Sequence, residues 1–200
     1  MKNYKATYKK QDSMNIKFVR LKYYKAEFLI NNIQIGTIYS SILLKPLAKK
    51  YSKLLKTTEY NNNKVLVVNL DKFIKDTFKL TGDIIDLSTC LWVDHKNFSS
   101  QNKKLVEDFL NTNKLYQEKF LIKIPSSPQI ISISLQNLKL IPLSIREHLF
   151  QKGILALNFL EQSTLQFFID IESIVCYLLI KNIKFTEKLE EYKKSIMGKH

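Results

Sequence analysis

Apolar positions along this chain come in short alternating runs separated by Asn-, Pro- and Ser-rich breaks. NIKFVRLKYYKAEFLI, residues 15–30, alternates apolar with basic side chains and is rich in β-branched and aromatic types, which predicts strand. Asn31-Asn32 signals a turn, and IQIGTIYSSILL follows as a second apolar stretch. Pro46 interrupts the pattern, and LAKKYSKLL fits a short helix or an irregular strand. Asn61-Asn62-Asn63 predicts a tight turn, because Asn tolerates left-handed backbone and bonds its own main chain. KVLVVNL then reads as a strand running into DKFIKDTF. SSQNKKLVEDFLNTN predicts a helix entered through Ser99 or Ser100, with Leu105, Val106, Phe109 and Leu110 as its stripe. Strands return in EKFLIKI, in QIISISLQNLKLIPLS after a PSSPQ turn, and in the hairpin GILALNFLEQSTLQFFI. The charged tail from Lys181 has Thr186 as the expected cap of a last amphipathic helix.

One ending is written twice. VVNLDKFI laid over FIDIESIV pairs Val68 with Ile169, Asn69 with Asp170, Leu70 with Ile171 and Phe73 with Ile174. Asn69 and Asp170 each stand where a strand gives way to helical spacing, the N-cap position these residue types favour. A second overlay, EFLINNIQIGTI on IISISLQNLKLI, pairs Phe28 with Ile131 and Ile35 with Leu138. Two matches in the same order at similar offsets predict two similar half-domains, 16–76 and 118–176, around a 77–117 insertion with a helix and ahead of a 177–200 tail.

Composition narrows the classes. An apolar share of 45% and a charged share of 25% are ordinary for a globular protein, and the longest apolar run is too short to cross a bilayer. No membrane insertion is expected, and no apolar leader follows the charged N-terminus. The net charge is +14, with 13 basic and 2 acidic side chains in residues 1–56. That third could meet nucleic acid or another acidic partner, with Tyr23, Tyr24 and Tyr51 as stacking candidates. However, 30 of the 32 basic residues are lysine, whereas base and phosphate-fork recognition favours arginine.

Catalytic chemistry is not written in the chain. His95, His148 and His200 are scattered, and Cys90 and Cys176 read as buried thiols. Asp94-His95 beside Cys90 could suggest a nucleophile and its base, but neighbours on a strand face opposite ways. Arg146-Glu147-His148 reads as a surface triplet. Four glycines do not supply a phosphate loop besides the turns, and no metal or cofactor site emerges. The expectation is a non-enzymatic chain.

These halves resemble the CheW family, the coupling proteins of bacterial chemotaxis. EFLINNIQIGTI stands where that family writes E-Y-G-I-x-I-x-x-V-x-E-I, and Glu59-Tyr60-Asn61-Asn62 then KVLVVNL stand where it writes N-L-R-G and V-I-P-V-V-D-L. IISISLQNLKLI and GILALNFLEQSTLQFFIDIESIV are similar to the matching phrases of its second half. The family arginine is replaced by Asn61, its glycine by Asn62, and the acidic residue of V-x-E-I by Thr37. The resemblance implies a mainly β fold of two SH3-like five-stranded β-barrels in tandem, with short helices and a helical insertion. It also implies a cytoplasmic adaptor with no cofactor, binding the regulatory domain of the histidine kinase CheA and the cytoplasmic tip of a chemoreceptor. Ile35, Thr37, Asn61 and Asn62 would face those partners, the other reading being that Ile35 is core and the asparagines only shape a turn. A basic β-barrel that binds nucleic acid is the alternative function.

Overall fold

A computed structural model describes residues 15–23, 26–31, 42–43, 54–80, 89–124, 129–134, 139–150, 152–159 and 164–197. Ile35 and Thr37 lie outside the described residues, as do Tyr24 and Tyr51. The strands are β1 (Asn15–Tyr23), β2 (Ala26–Asn31), β3 (Ile42–Leu43), β4 (Leu55–Tyr60), β5 (Asn63–Asn69) and β6 (Thr89–Val93). They continue as β7 (Phe120–Ile124), β8 (Gln129–Ser134), β9 (Lys139–Leu140), β10 (Ile154–Phe159) and β11 (Leu165–Ile169). Among the described residues four α-helices accompany them: α1 (Leu70–Phe78), α2 (Ser100–Thr112), α3 (Leu143–Phe150) and α4 (Ile171–Met197). Among the described residues no helix is long and apolar enough to cross a membrane.

The strands form two mixed sheets, ordered β8-β1-β2-β11-β10-β9 and β3-β6-β7-β5-β4. Among the described residues neither sheet closes on itself, so two five-stranded barrels in tandem appear as open sheets of six and five strands. The sixth strand, β9, joins the first sheet through Ala156 opposite Leu140. Without it, the first sheet's β8-β1-β2-β11-β10 repeats the order β3-β6-β7-β5-β4 of the second. Each sheet has one parallel contact in the corresponding place, β2 with β11 and β5 with β7. The segments 16–76 and 118–176 are therefore not each confined to one sheet. The opening hairpin β1–β2 sits with β8, β10 and β11, while β6–β7 sits with β3, β4 and β5.

Registers show which residues are equivalent. Ile30 stands opposite Ile169, and Ile122 opposite Val68. Since Val68 and Ile169 are repeat partners, Phe28-Leu29-Ile30 corresponds to Phe120-Leu121-Ile122, the same three residues in both halves. Over the described residues the overlay of EFLINNIQIGTI on IISISLQNLKLI does not hold in space, because β8 lies at the edge beyond β1 and not beside β11; the pair Ile35 and Leu138 lies outside the described residues. Likewise β6, inside the segment read as an insertion, is a paired strand between β3 and β7.

The two sheets share one core. Val19, Leu21, Phe28 and Ile30 of one meet the same cluster as Leu91, Val93, Phe120 and Ile122 of the other. Each such side chain, when fully buried, stabilises the fold by about 1.5–3 kcal/mol. Leu70, Phe73 and Ile74 of α1 and Ile171, Ile174 and Val175 of α4 enter that core, as their spacing predicts. Both caps form. Asn69 Oδ1 accepts from the Lys72 amide at 3.0 Å, and the Asp170 carboxylate accepts from the amides of Glu172 and Ser173, both at 3.2 Å. Even the main chain repeats: the Asn69 amide donates to the Leu54 carbonyl and the Asp170 amide to the Gly153 carbonyl, both at 2.8 Å.

Two local readings change. LSIREHLF forms α3, although Leu143, Ile145 and Leu149 lack a clean helical stripe; the helix opens behind Pro142, whose carbonyl accepts from the Ile145 amide at 3.1 Å. Arg146-Glu147-His148 thus lies on a helix, with Arg146 Nη2 donating to the Ile141 carbonyl. Thr186 caps nothing, because α4 runs through it without a break; its hydroxyl donates back to the Asn182 carbonyl at 3.0 Å.

Gly153 is irreplaceable in this frame. Its φ is +68°, and an added Cβ would stand 2.5 Å from Ile174 Cγ1 and 3.0 Å from the Asp170 carbonyl oxygen. Gly153→Ala should lower the stability by about 1–3 kcal/mol, read as a reduced urea midpoint at unchanged slope.

Candidate functional site

The turn between β4 and β5 has two residues, Asn61 and Asn62, both left-handed at φ 47° and 62°. Two consecutive positive φ values in a two-residue loop suit the right-handed twist of a hairpin, and Asn accepts them at low cost. Asn63 Nδ2 donates to the Asn61 carbonyl at 3.0 Å and braces the turn. Glu59 faces Lys64 and Tyr60 faces Asn63 across the hairpin.

Beside this turn lies a cavity of about 280 Å³, lined by Tyr60, Asn61, Asn63, Val65, Trp92, Tyr116 and Lys119. Alternation in β5, β6 and β7 sets it on the sheet face away from the shared core. Val65, Val67, Cys90, Trp92 and Leu121 form a separate buried cluster there, with Tyr60 and Tyr116 packed against it. Tyr60 meets Trp92 edge to face with ring centroids 5.3 Å apart, and Tyr116 stands 6.5 Å from Trp92 on its other contact. Lys119 Nζ lies 4.8 Å from the centroid of the Trp92 ring. Tyr116 is held by its amide, which donates to the Lys64 carbonyl, and by its hydroxyl, which donates to Glu118 at 2.7 Å. That bond raises the Tyr116 phenol above its ordinary value.

The equivalent place in the other sheet is built differently. By register, Arg20 corresponds to Trp92, Glu27 to Lys119 and Gln166 to Val65. Arg20 Nη1 is 3.8 Å from Glu27 Oε1, Gln166 Nε2 donates to Glu27 Oε2 at 2.8 Å, and Arg20 Nη2 donates to Gln129 Oε1 at 2.5 Å. Glu27 and Gln166 are buried. One sheet therefore fills this position with a polar network, and the other leaves an aromatic hollow. Neither set of residues stands out in the sequence; the repeated Phe-Leu-Ile triplet was the signal that would have aligned them.

Of the expected site residues, Asn61 lines the cavity and Asn62 is the exposed outer residue of the turn. Trp92 and Tyr116 come from the segment read as an insertion and Lys119 from the start of the second half; none of them was expected here. Tyr23, a nucleic-acid stacking candidate, is committed elsewhere: its hydroxyl donates to Asp71 at 3.0 Å and its ring packs edge to face on Phe28.

The groups considered for chemistry have structural roles. Cys90 is fully buried, which pushes its thiol up to about 12, and burial does the same to Cys176. Asp94 accepts from the Lys96 amide and opens a single 3-10 turn, His95–Asn97. Glu172, from the first turn of α4, accepts from the Ser99 amide at 3.0 Å and from Asn102 Nδ2 at 2.6 Å, so it caps α2 from another element.

No protein-family model matches the sequence, and no curated protein matches it. Among solved structures the chain is similar to the scaffolding protein TtCheW from Thermoanaerobacter tengcongensis, at 9% identity and a TM-score of 0.46, covering 79% of this chain and 90% of that one.

His95 gives the fold a pH dependence. It is 1% exposed, its Nδ1 has no hydrogen-bond partner, and Nε2 is 4.0 Å from Glu107. Burial lowers its pKa below the ordinary value, outweighing the attraction of Glu107 and Asp94. Below about pH 6.5 the unfolded chain takes up a proton that the folded imidazole resists, so stability must fall with falling pH. The urea midpoint of the native protein should drop between pH 7 and pH 5, and His95→Leu should flatten that slope whatever its own midpoint.

Proposed function

We propose that this chain is a non-enzymatic adaptor of the CheW kind, coupling a chemoreceptor to a CheA-class histidine kinase through protein–protein contacts in the cytoplasm. In this reading each sheet belongs to an SH3-like barrel, and the two barrels share strands across the segments 16–76 and 118–176. One observation carries the proposal: the Tyr60–Trp92–Tyr116 hollow opens beside Asn61-Asn62, the turn that stands in the place of the family's partner-binding N-L-R-G. Rigid aromatic side chains at the edge of a hollow are the residue types that dominate protein interfaces. Lys119 and the Asn61 and Asn63 amides supply polar contacts around them. The lost arginine is thereby offset by aromatic area on the same side of the turn. Ile35 and Thr37 remain partner-facing candidates in this proposal.

The test is titration of the full chain with the regulatory domain of a CheA-class kinase by calorimetry. Binding in the micromolar range is expected, with Tyr116→Ala and Lys119→Glu each weakening it by roughly tenfold while circular dichroism stays unchanged. A folded chain that binds neither that domain nor a receptor tip fragment would overturn the proposal. Single-stranded nucleic acid stacked on Tyr60 and Tyr116 is the second reading, supported by Lys119 at the same hollow. Anisotropy with a labelled oligonucleotide separates the two, because nucleic-acid affinity must fall steeply between low and moderate salt.

A further inference from the structure

Away from the hollow, α2 and α4 enclose a groove that the core does not fill. After Leu179, α4 leaves the body of the protein: residues 180–188 are exposed apart from half-buried Ile183. Ile183 faces α2, and with Leu105 and Phe109 it floors a cavity of about 260 Å³. Val106, Phe109 and Leu110 spend their burial on the shared core, so Leu105 and one edge of Phe109 are what α2 offers the groove. A second cavity of about 150 Å³ continues from it, because Phe109, Asn113 and Asn182 line both. This continuation runs over Leu115 and Leu66 to the β4–β5 hairpin.

Charge changes sign along the groove. Asp108 of α2 and Glu187 of α4 line the first cavity, and Lys56 and Lys64 of the hairpin line the second. Asn113 and Asn182 lie at the junction, where Asn113 Nδ2 donates to the Phe109 carbonyl at 2.8 Å. On a chain of net charge +14, Asp108 and Glu187 set two carboxylates beside an apolar floor. A uniformly acidic partner would be repelled at that end, and a uniformly basic one at the other.

We infer that this groove is a docking site for a peptide segment of another protein. The segment has an apolar anchor over Leu105, Phe109 and Ile183, cationic side chains over Asp108 and Glu187, and an anionic one over Lys64. The site goes beyond the hollow beside Asn61 and draws on different residues, so an adaptor would hold two partners without competition between them.

A phage-displayed library of random peptides, selected on the full chain, tests the inference. Enriched peptides should carry Lys or Arg at one end, an aromatic or branched aliphatic centre, and Asp or Glu at the other end. Synthetic versions should lose roughly tenfold or more in affinity to the Asp108→Lys/Glu187→Lys variant, whose exposed sites keep the fold intact. Lys64→Glu should weaken the same peptides, and Tyr116→Ala should leave them unaffected. Absence of enrichment overturns the inference. So does a consensus without this polarity, or binding that Tyr116→Ala removes and the Asp108/Glu187 variant does not.

Discussion

Everything in this fold depends on two parallel strand pairings made between distant parts of the chain. β2 lies along β11 and β7 along β5, so the first sheet joins the β1–β2 hairpin to strands from residues 129–169, and the second joins β6 and β7 to strands from residues 42–69. Neither half can complete a sheet alone. Their apolar faces then meet in one cluster, with α1 and α4 packed into it by equivalent residues. Such long-range pairing requires loop closure before it returns contact energy, which makes assembly cooperative and slow relative to helical folds.

Within that frame the two copies agree where backbone geometry demands it and differ where side chains face outward. Asn69 and Asp170 make the same cap, and their amides meet the same carbonyl position. Gly153 belongs to this requirement, since its carbonyl receives the Asp170 amide while Ile174 leaves no room for a Cβ. On the opposite face the copies diverge. Arg20, Glu27 and Gln166 pair with one another at the first sheet's position, although Arg20 Nε is left without a partner, whereas Trp92, Val65 and Lys119 leave a hollow in the second. The Arg20–Glu27–Gln166 contacts occupy that position, so a guest there would have to break them. The aromatic copy carries no such restriction. This is the physical reason to look for a partner beside Asn61 and not at its counterpart.

Features that depend on a few consecutive residues were legible in the sequence. The left-handed turn at Asn61-Asn62, both caps, the stripe of α2 and the entry of α1 and α4 into the core follow from residue type and spacing. Features decided by partners far along the chain were not. β6 looks like part of an insertion because the strand that flanks it, β3, lies more than forty residues upstream. Thr186 carries the signature of a cap, but α4 runs on through it from first turns that Ile171, Ile174, Val175, Leu178 and Leu179 anchor in the core. α3 has no apolar stripe to announce it, since two of its apolar side chains, Ile145 and Phe150, are exposed.

By itself, then, the sequence determined the local grammar: strands, turn, caps, and a doubled ending that required a doubled architecture. Only the tertiary structure decided which strand lies beside which, and with it that Tyr60, Trp92, Tyr116 and Lys119 surround one hollow while Arg20 and Glu27 neutralise each other in its twin. Period-two alternation states that a residue faces one side of a sheet but not which sheet or which neighbour. That choice belongs to the register of β2 on β11 and β7 on β5, a contact between segments that share no local signal except the repeated Phe-Leu-Ile.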